Sequence, residues 1–204
     1  SVEPSRGRRF RNAFRHNILA VIGAGLVTFF VVLAVIGPLV APYAPDQPDL
    51  DHILEPPGRV HLLGSDDTGM DVFSRVLYGA RIDLSSALLI VIVSGLVGTA
   101  AGVVAGWLGG FWDEVIMRLT DMFLAFPSLI LAMAIAAVLR PSLTNALLAV
   151  SVTYWPIYAR LARSQIIAFK ELEFVEAGRA VGLGNLRLVL RHVLPNAAAP
   201  LLVQ

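Results

Sequence analysis

Cysteine is absent from the 204 residues, which excludes disulfides, thiol nucleophiles and cysteine-ligated clusters but says little about compartment. Lysine is nearly absent. Lys170 is the only one, and Phe169 precedes it, so there is no Gly-x-x-x-x-Gly-Lys-Ser/Thr loop to cradle nucleotide phosphates. Neither a His-Glu-x-x-His zinc helix nor a Gly-x-Ser-x-Gly nucleophile turn occurs. The four histidines, His16, His52, His61 and His192, stand too far apart in the chain to suggest a ligand set, and His192 reads as a packing or surface residue. Charge is sparse as well, at 15% of residues with a net of +1, so no nucleic-acid partner is indicated. These absences argue against an enzyme and predict neither a cofactor nor a metal in this chain.

What is abundant is apolar surface: 56% of residues are hydrophobic and the mean hydropathy is +0.72. Uncharged runs cover residues 17–45, 84–112, 122–139 and 141–159, each near or above the roughly 20 residues that a spanning helix needs. The chain therefore reads as an all-α membrane protein with four complete spans. A fifth is expected to begin after Pro195 and is cut short at Gln204. The first run is too long for the core of a signal peptide and is followed by others, so it reads as an uncleaved membrane helix.

Orientation follows from the basic residues, which are retained on the cytosolic side of spans. Arg6, Arg8, Arg9, Arg11 and Arg15 precede the first run, and Arg160, Arg163, Lys170, Arg179, Arg187 and Arg191 follow the fourth. The opposite loops hold Arg59, Arg75, Arg81 and Arg140. The expected layout is a cytosolic segment over 1–17, a first membrane helix over 18–40, an extracytosolic loop over 41–83 and a core over 84–204. Within that core, 164–195 would be a cytosolic loop.

Small residues recur every fourth position in the second run, at Ser94, Gly98, Gly102, Gly106 and Gly110, which leaves one helix face nearly bare for a close neighbour. Arg118 and Asp121 are three apart, side by side on a helix, and predict an ion pair at the membrane interface. Pro127 and Pro156 predict kinks. Proline at 42, 45, 48, 56 and 57 predicts an extended, wandering loop that regains order near Leu63. An amphipathic helix lying on the membrane would then carry an Asp71/Arg75 pair and turn at 78–81 into the second span. A calcium site at Asp66, Asp67 and Asp71 lacks the register of an EF-hand loop.

Beyond the fourth run, residues 164–179 carry few helix breakers, Gly182 and Gly184 supply a corner, and Leu186, Val189, Leu190 and Val193 share one face of a second short helix ending at Pro195. Helix, corner and helix make a compact knob. An interfacial hairpin capping the bilayer would have the same pattern.

Glu176-Ala177-Gly178, three residues, Gly182, nine residues and His192-Val193-Leu194-Pro195 resemble the cytosolic signature of permease subunits of bacterial ATP-driven (ABC) importers. That signature reads Glu-Ala-Ala, three residues, Gly, nine residues, Ile, one residue, Leu-Pro. Gly178 replaces Ala, a change that loosens one helical turn. His192 replaces Ile, as is common in the dipeptide, oligopeptide and nickel branch. The outer block is similar to C-type permeases of that branch at Gly64, Asp66, Gly69, Asp71, Ser74, Arg75, Gly79 and Arg81, with Ser65 in place of Thr and Met70 in place of Arg.

The resemblance implies a type I ABC importer transmembrane domain of about six spans when complete, in the bacterial inner membrane. It implies a second homologous permease, two ATPase subunits that carry ATP and magnesium, and an extracytosolic substrate-binding protein. Leu172, Val175, Glu176, Ala177, Gly178, Gly182 and Pro195 would form the ATPase-coupling surface. Peptides, or a small solute such as a nickel chelate, would be the cargo. The alternative is a secondary transporter or channel, with Asp121 and Arg140 as ion-coupling residues.

Overall fold

The computed structural model describes residues 17–197, and every regular element among them is helical. The N-terminal arginines and residues 198–204, where most of the expected fifth span falls, lie outside the described residues. The chain forms two compact units, 1–87 and 88–204.

In the first unit, α1 (Ile18–Val40) begins at Asn17, whose side chain accepts from the Ala20 amide at 3.3 Å and so satisfies one of the unpaired N–H groups at the helix start. Leu26, Phe30 and Leu39 are exposed around it, as on a helix that meets lipid rather than protein. Ala34 and Gly37 are buried, and a Cβ at Gly37 would meet the Leu77 carbonyl oxygen at 2.9 Å. The proline-rich loop after α1 is not wandering. The Asp49 amide donates to Gly69 O at 2.9 Å, Ser65 to Glu55 O at 3.0 Å and Leu54 to Asp66 O at 3.2 Å, and antiparallel bridges join Pro48 to Met70 and Ser65 to Asp71. Order therefore resumes well before Leu63.

The helix that follows, α2 (Val72–Leu108), is 37 residues long. No turn interrupts it at 78–81, where Gly79 is the only weak helix former and a single glycine costs only about 1 kcal/mol. At 1.5 Å per residue α2 measures about 55 Å, so it outruns a hydrocarbon core of about 30 Å.

In the second unit α2 continues to Gly109 and Gly110, whose φ angles of 67° and 52° end it. Next come α3 (Gly110–Leu124), α4 (Ser128–Val138), α5 (Leu143–Lys170), α6 (Glu173–Ala180), α7 (Asn185–Leu188) and a π-wound stretch, Val189–Val193. Pro127 does more than kink a span. It caps α4 and sets it at 90° to α3. Pro156 is buried inside α5, which runs on through it.

By length and apolarity, α1 and α2 can each cross a membrane, and the bent pair α3 and α4 makes a third if it is one span. The count of four complete spans is thus not reached on that measure. α5 is 28 residues long, but Thr144, Asn145, Ser151, Thr153 and Tyr154 dilute its apolar character.

The bare face of α2 packs on α5 as the spacing of small residues predicts. Ser94 donates to Ser151 O at 3.0 Å, both residues being buried. A Cβ would lie 2.6 Å from Tyr158 Cβ at Gly98, 2.7 Å from Ala162 Cβ at Gly102 and 3.0 Å from the Arg163 carbonyl oxygen at Gly106. Gly110 does not belong to this face: it lies past the break, and a Cβ there would meet nothing within 4 Å. Its positive φ serves the turn instead.

Candidate functional site

The knob at the end of α5 is built as a helix, a glycine corner and a second helix, with one added break. Residues 171–172 separate α5 from α6. At the end of α6, the Gly182 amide donates to Arg179 O at 2.9 Å and the Leu183 amide to Gly178 O at 3.0 Å. This pair of bonds is the Schellman motif, which requires a left-handed residue at Gly182, where φ is 80°. Leu183 then folds back against the knob's core.

That core comprises Trp107, Ile166, Val175, Leu188, Val189 and Val193. Val175 is therefore not available as an outer contact, contrary to the expectation from the motif; it is fully buried. Gly178 is buried too, and a Cβ there would come within 2.6 Å of Leu188 Cδ2. Its small size seats Leu188 and does not merely loosen a turn. The second helix also turns differently from the expected face. Val189 and Val193 are buried, but Leu186 and Leu190 are exposed, and Leu188 takes the inward place. The π winding, with the Leu194 amide bonded to Val189 O, shifts the register relative to α-helical spacing. Pro195 is exposed, within a helical segment that continues to Ala197.

Glu176, Ala177, Gly182 and Leu172 face outward. Phe174, Val181 and Leu186 are exposed with them, and among the described residues Val181 is left 77% exposed and Leu186 73%. These exposed apolar residues share the knob with the exposed carboxylates of Glu171, Glu173 and Glu176. Phe174 and Val181 escaped the sequence reading because Phe174 precedes the motif and Val181 occupies one of its unspecified positions.

Two basic residues fasten the knob to the C-terminal end of α2. Lys170 Nζ donates to the Trp107 carbonyl at 2.8 Å, capping one of the last carbonyls of that helix. The Arg179 guanidinium lies 5.3 Å from the centroid of the Trp107 ring, within cation–π range. Arg163 joins α5 to α3 by two bonds to Asp113, at 2.5 and 2.6 Å. A cavity of about 450 Å³ beside them is lined by Gly106, Asp113, Lys170, Glu171, Glu176 and Arg179, among others. No spacing rule could have found Trp107, whose partners are 63 and 72 positions away in the chain.

The expected Arg118/Asp121 pair is not formed. Arg160 Nη2 reaches Asp121 Oδ1 at 2.5 Å, and Arg118 lies 3.9 Å from Glu114 with both side chains exposed. The reason is the packing of α3 on α5, which offers Asp121 a closer cation than its own helix does.

In the loop before α2, six of the eight predicted motif residues converge. Asp66 accepts from the Thr68 hydroxyl at 2.6 Å and from the Thr68 and Met70 amides at 2.8 and 3.0 Å, and it pairs with Arg75. Led by the Thr68 hydroxyl, these bonds hold its carboxyl at about 2, below the usual 3.8. Asp71 does not pair with Arg75. It caps α2 through the Ser74 amide at 2.7 Å and meets His61 Nδ1 at 2.9 Å. Burial pushes the Asp71 carboxyl up, but Ser74 and His61 outweigh it, so the net direction is down. Ser74 Oγ accepts from the Tyr43 amide at 3.1 Å.

Gly64 and Gly69 have φ of 79° and 77° and lie against the backbones of Glu55 and Asp49. Gly79 and Arg81 lie further along α2, outside this network. Asp66, Asp67 and Asp71 form no cation cage, since Asp66 and Asp71 are spent on other partners. The histidines are not all scattered: His52 and His61 have ring centroids 5.7 Å apart.

Residues 98–204 match the family described as binding-protein-dependent transport system inner membrane component, and residues 5–57 match the N-terminal TM domain of oligopeptide transport permease C. A dipeptide transport system permease protein, DppC, of Alkalihalophilus pseudofirmus is 40% identical over 198 residues, covering 96% of this chain and 65% of that protein. A probable D,D-dipeptide transport system permease protein of Escherichia coli is 36% identical over 209 residues, 100% of this chain and 70% of the relative. A di/tripeptide transport system permease protein of Pseudomonas aeruginosa is 39% identical over 209 residues, with 100% and 69% covered. The chain thus spans about two-thirds of the length of these relatives, just under that for the first.

Proposed function

This chain belongs to the family of binding-protein-dependent transport system inner membrane components, and from that premise we propose that it is one permease subunit of an ATP-driven importer of short peptides. It resides in the bacterial inner membrane, with the knob and the N-terminus on the cytosolic side and the loop before α2 outside. It pairs with a similar permease and receives cargo from an extracytosolic binding protein. Two ATPase subunits dock on the cytosolic face, and their closure moves the helices in alternating access. ATP and magnesium belong to those ATPases.

The observation that carries this reading is the knob's outer surface, where Glu176 stands among the exposed apolar residues Leu172, Phe174, Val181 and Leu186. Exposed apolar side chains beside the exposed carboxylates of Glu171, Glu173 and Glu176 suit a groove that carries basic residues. Lys170 and Arg179, which tie the knob to Trp107, give a push on the knob a path into α2. Peptide cargo is supported by the names of the three relatives described above, which are dipeptide or di/tripeptide permeases.

The test is co-purification of the ATPase and transport in membranes with the full-length protein. Glu176→Ala removes a charged hydrogen bond worth about 1.5–3 kcal/mol, so ATPase retention should fall by at least tenfold. Gly182→Pro, which cannot adopt the positive φ of the corner, should abolish it. Cargo binding to the isolated binding protein should not change. Wild-type transport and stable ATPase association in both variants would remove the coupling assignment.

A further inference from the structure

The loop before α2 contains a side-chain cluster that the transport reading does not use. Asp49, His52 and His61 offer one carboxylate oxygen and two imidazole nitrogens that all lie within 4.8 Å of one another. Asp49 Oδ2 is 2.8 Å from His52 Nδ1 and 3.7 Å from His61 Nε2. The second of these atoms carries the most information. His61 is buried, with a side chain only 1% exposed, yet its Nε2 has no hydrogen-bond partner.

The other ring nitrogen explains how His61 is held. Nδ1 lies 2.9 Å from Asp71 Oδ1, and a carboxylate there takes the Nδ1 proton as its hydrogen bond. In the neutral ring, Nε2 is then left with an unprotonated lone pair, 3.7 Å from Asp49 Oδ2. A carboxylate that fixes the tautomer from behind while the free nitrogen faces a second donor set is the arrangement that orients metal-ligating histidines. Asp71 is itself held by the Ser74 amide at 2.7 Å, so His61 is fixed from two sides.

We infer that Asp49, His52 and His61 form a binding site for a divalent transition-metal ion of the zinc kind, with a water or a further donor in the fourth position. Two imidazoles and one carboxylate are the ligand types that zinc takes. Calcium and magnesium prefer sets made wholly of oxygen. A tetrahedral ion with bonds of about 2.0–2.1 Å holds its ligand atoms about 3.4 Å apart, close to the 3.7 Å between Asp49 and His61. His52, 40% exposed, has the freedom to rotate away from its hydrogen bond to Asp49 and onto the ion. The ion would clasp the Asp49 to His52 turn to His61, across a loop in which five prolines supply no backbone donors. This site does not depend on the cargo or on ATPase docking.

The full-length protein, purified without a histidine tag and stripped by chelator, is titrated with zinc(II) against a chromophoric competitor. The wild type should take up one zinc per chain, and Asp49→Asn and His52→Ala should each weaken it at least tenfold. His61→Ala should do the same, but it also empties a buried position and releases Asp71. His52→Ala is therefore the deciding variant, since it leaves the His61–Asp71 pair in place. X-ray absorption of the zinc-loaded wild type should show imidazole nitrogens at about 2.0 Å. No uptake by the wild type, or uptake that His52→Ala leaves unchanged, would overturn the site and leave an ordinary hydrogen-bonded pair at Asp49 and His52.

Discussion

Asp66 organises its turn by charge as much as by geometry, since one carboxylate serves the Thr68 hydroxyl, two backbone amides and Arg75. Its carboxyl is lowered to about 2 from 3.8, so the charged form is favoured by the folded loop. The contribution is complete above the ordinary value and is lost as pH falls from about 3.8 through about 2. Acidification through that window should speed hydrogen exchange at the Thr68 and Met70 amides relative to the intrinsic rate. Asp66→Asn should show the same loss already at neutral pH. Protection at both amides that is identical in the variant and the wild type, from pH 7 to pH 2, would mean that the turn does not rely on this charge. Much of the turn was legible in the chain, because Gly64, Asp66 and Gly69 are residues a tight polar turn requires. The partners of Asp71 and Arg75 were not: helical spacing paired them with each other, while the loop fold offered His61 and Asp66 at closer range.

At the scale of elements the same contrast recurs. The small-residue face of α2 was readable because a four-residue period is a local property, and Gly98, Gly102 and Gly106 do meet α5 at close range. Gly110 shares the period but not the helix, since a break at positive φ is invisible to spacing. The second short helix misled in a similar way, since Leu188 rather than Leu186 lies in the core. Because Gly102 abuts Ala162 within the same chain, Gly102→Leu should damage the fold of this subunit itself, whatever it does to assembly. A Cβ 2.7 Å from Ala162 Cβ and hard against the Ala159 carbonyl cannot be absorbed without separating α2 from α5, at a cost of roughly 1–3 kcal/mol or more. Thermal melting of the detergent-solubilised protein should drop by several degrees for Gly102→Leu. Gly79→Ala, at a position with nothing within 4 Å, should leave the melting temperature unchanged or raise it. Equal melting of Gly102→Leu and the wild type would show that the face is not a packing surface.

For the whole molecule, the number of bilayer crossings between the loop and the knob decides whether they share a face, and parity makes that number testable. α2 can cross once, and α5 is long enough to cross again. Between them lie α3 and α4, joined at 90°, which either complete one crossing as a broken span or enter and leave on the same side. Three crossings put Asp67 and Leu186 on opposite sides; two put them on the same side. The basic residues favour three, because Arg187 and Arg191 are exposed beside Leu186, as suits a cytosolic segment, whereas the loop around Asp67 holds few cations. Both positions are exposed, and the chain has no native cysteine, so single-cysteine variants at each report cleanly. Asp67→Cys should react with a membrane-impermeant maleimide on intact spheroplasts. Leu186→Cys should react only after permeabilisation. If both are labelled from outside, or both only after permeabilisation, then α3 and α4 form a re-entrant pair and the knob and loop share one face. That outcome would also remove cytosolic docking on the knob while the loop receives cargo outside, because the two roles require opposite faces of the membrane.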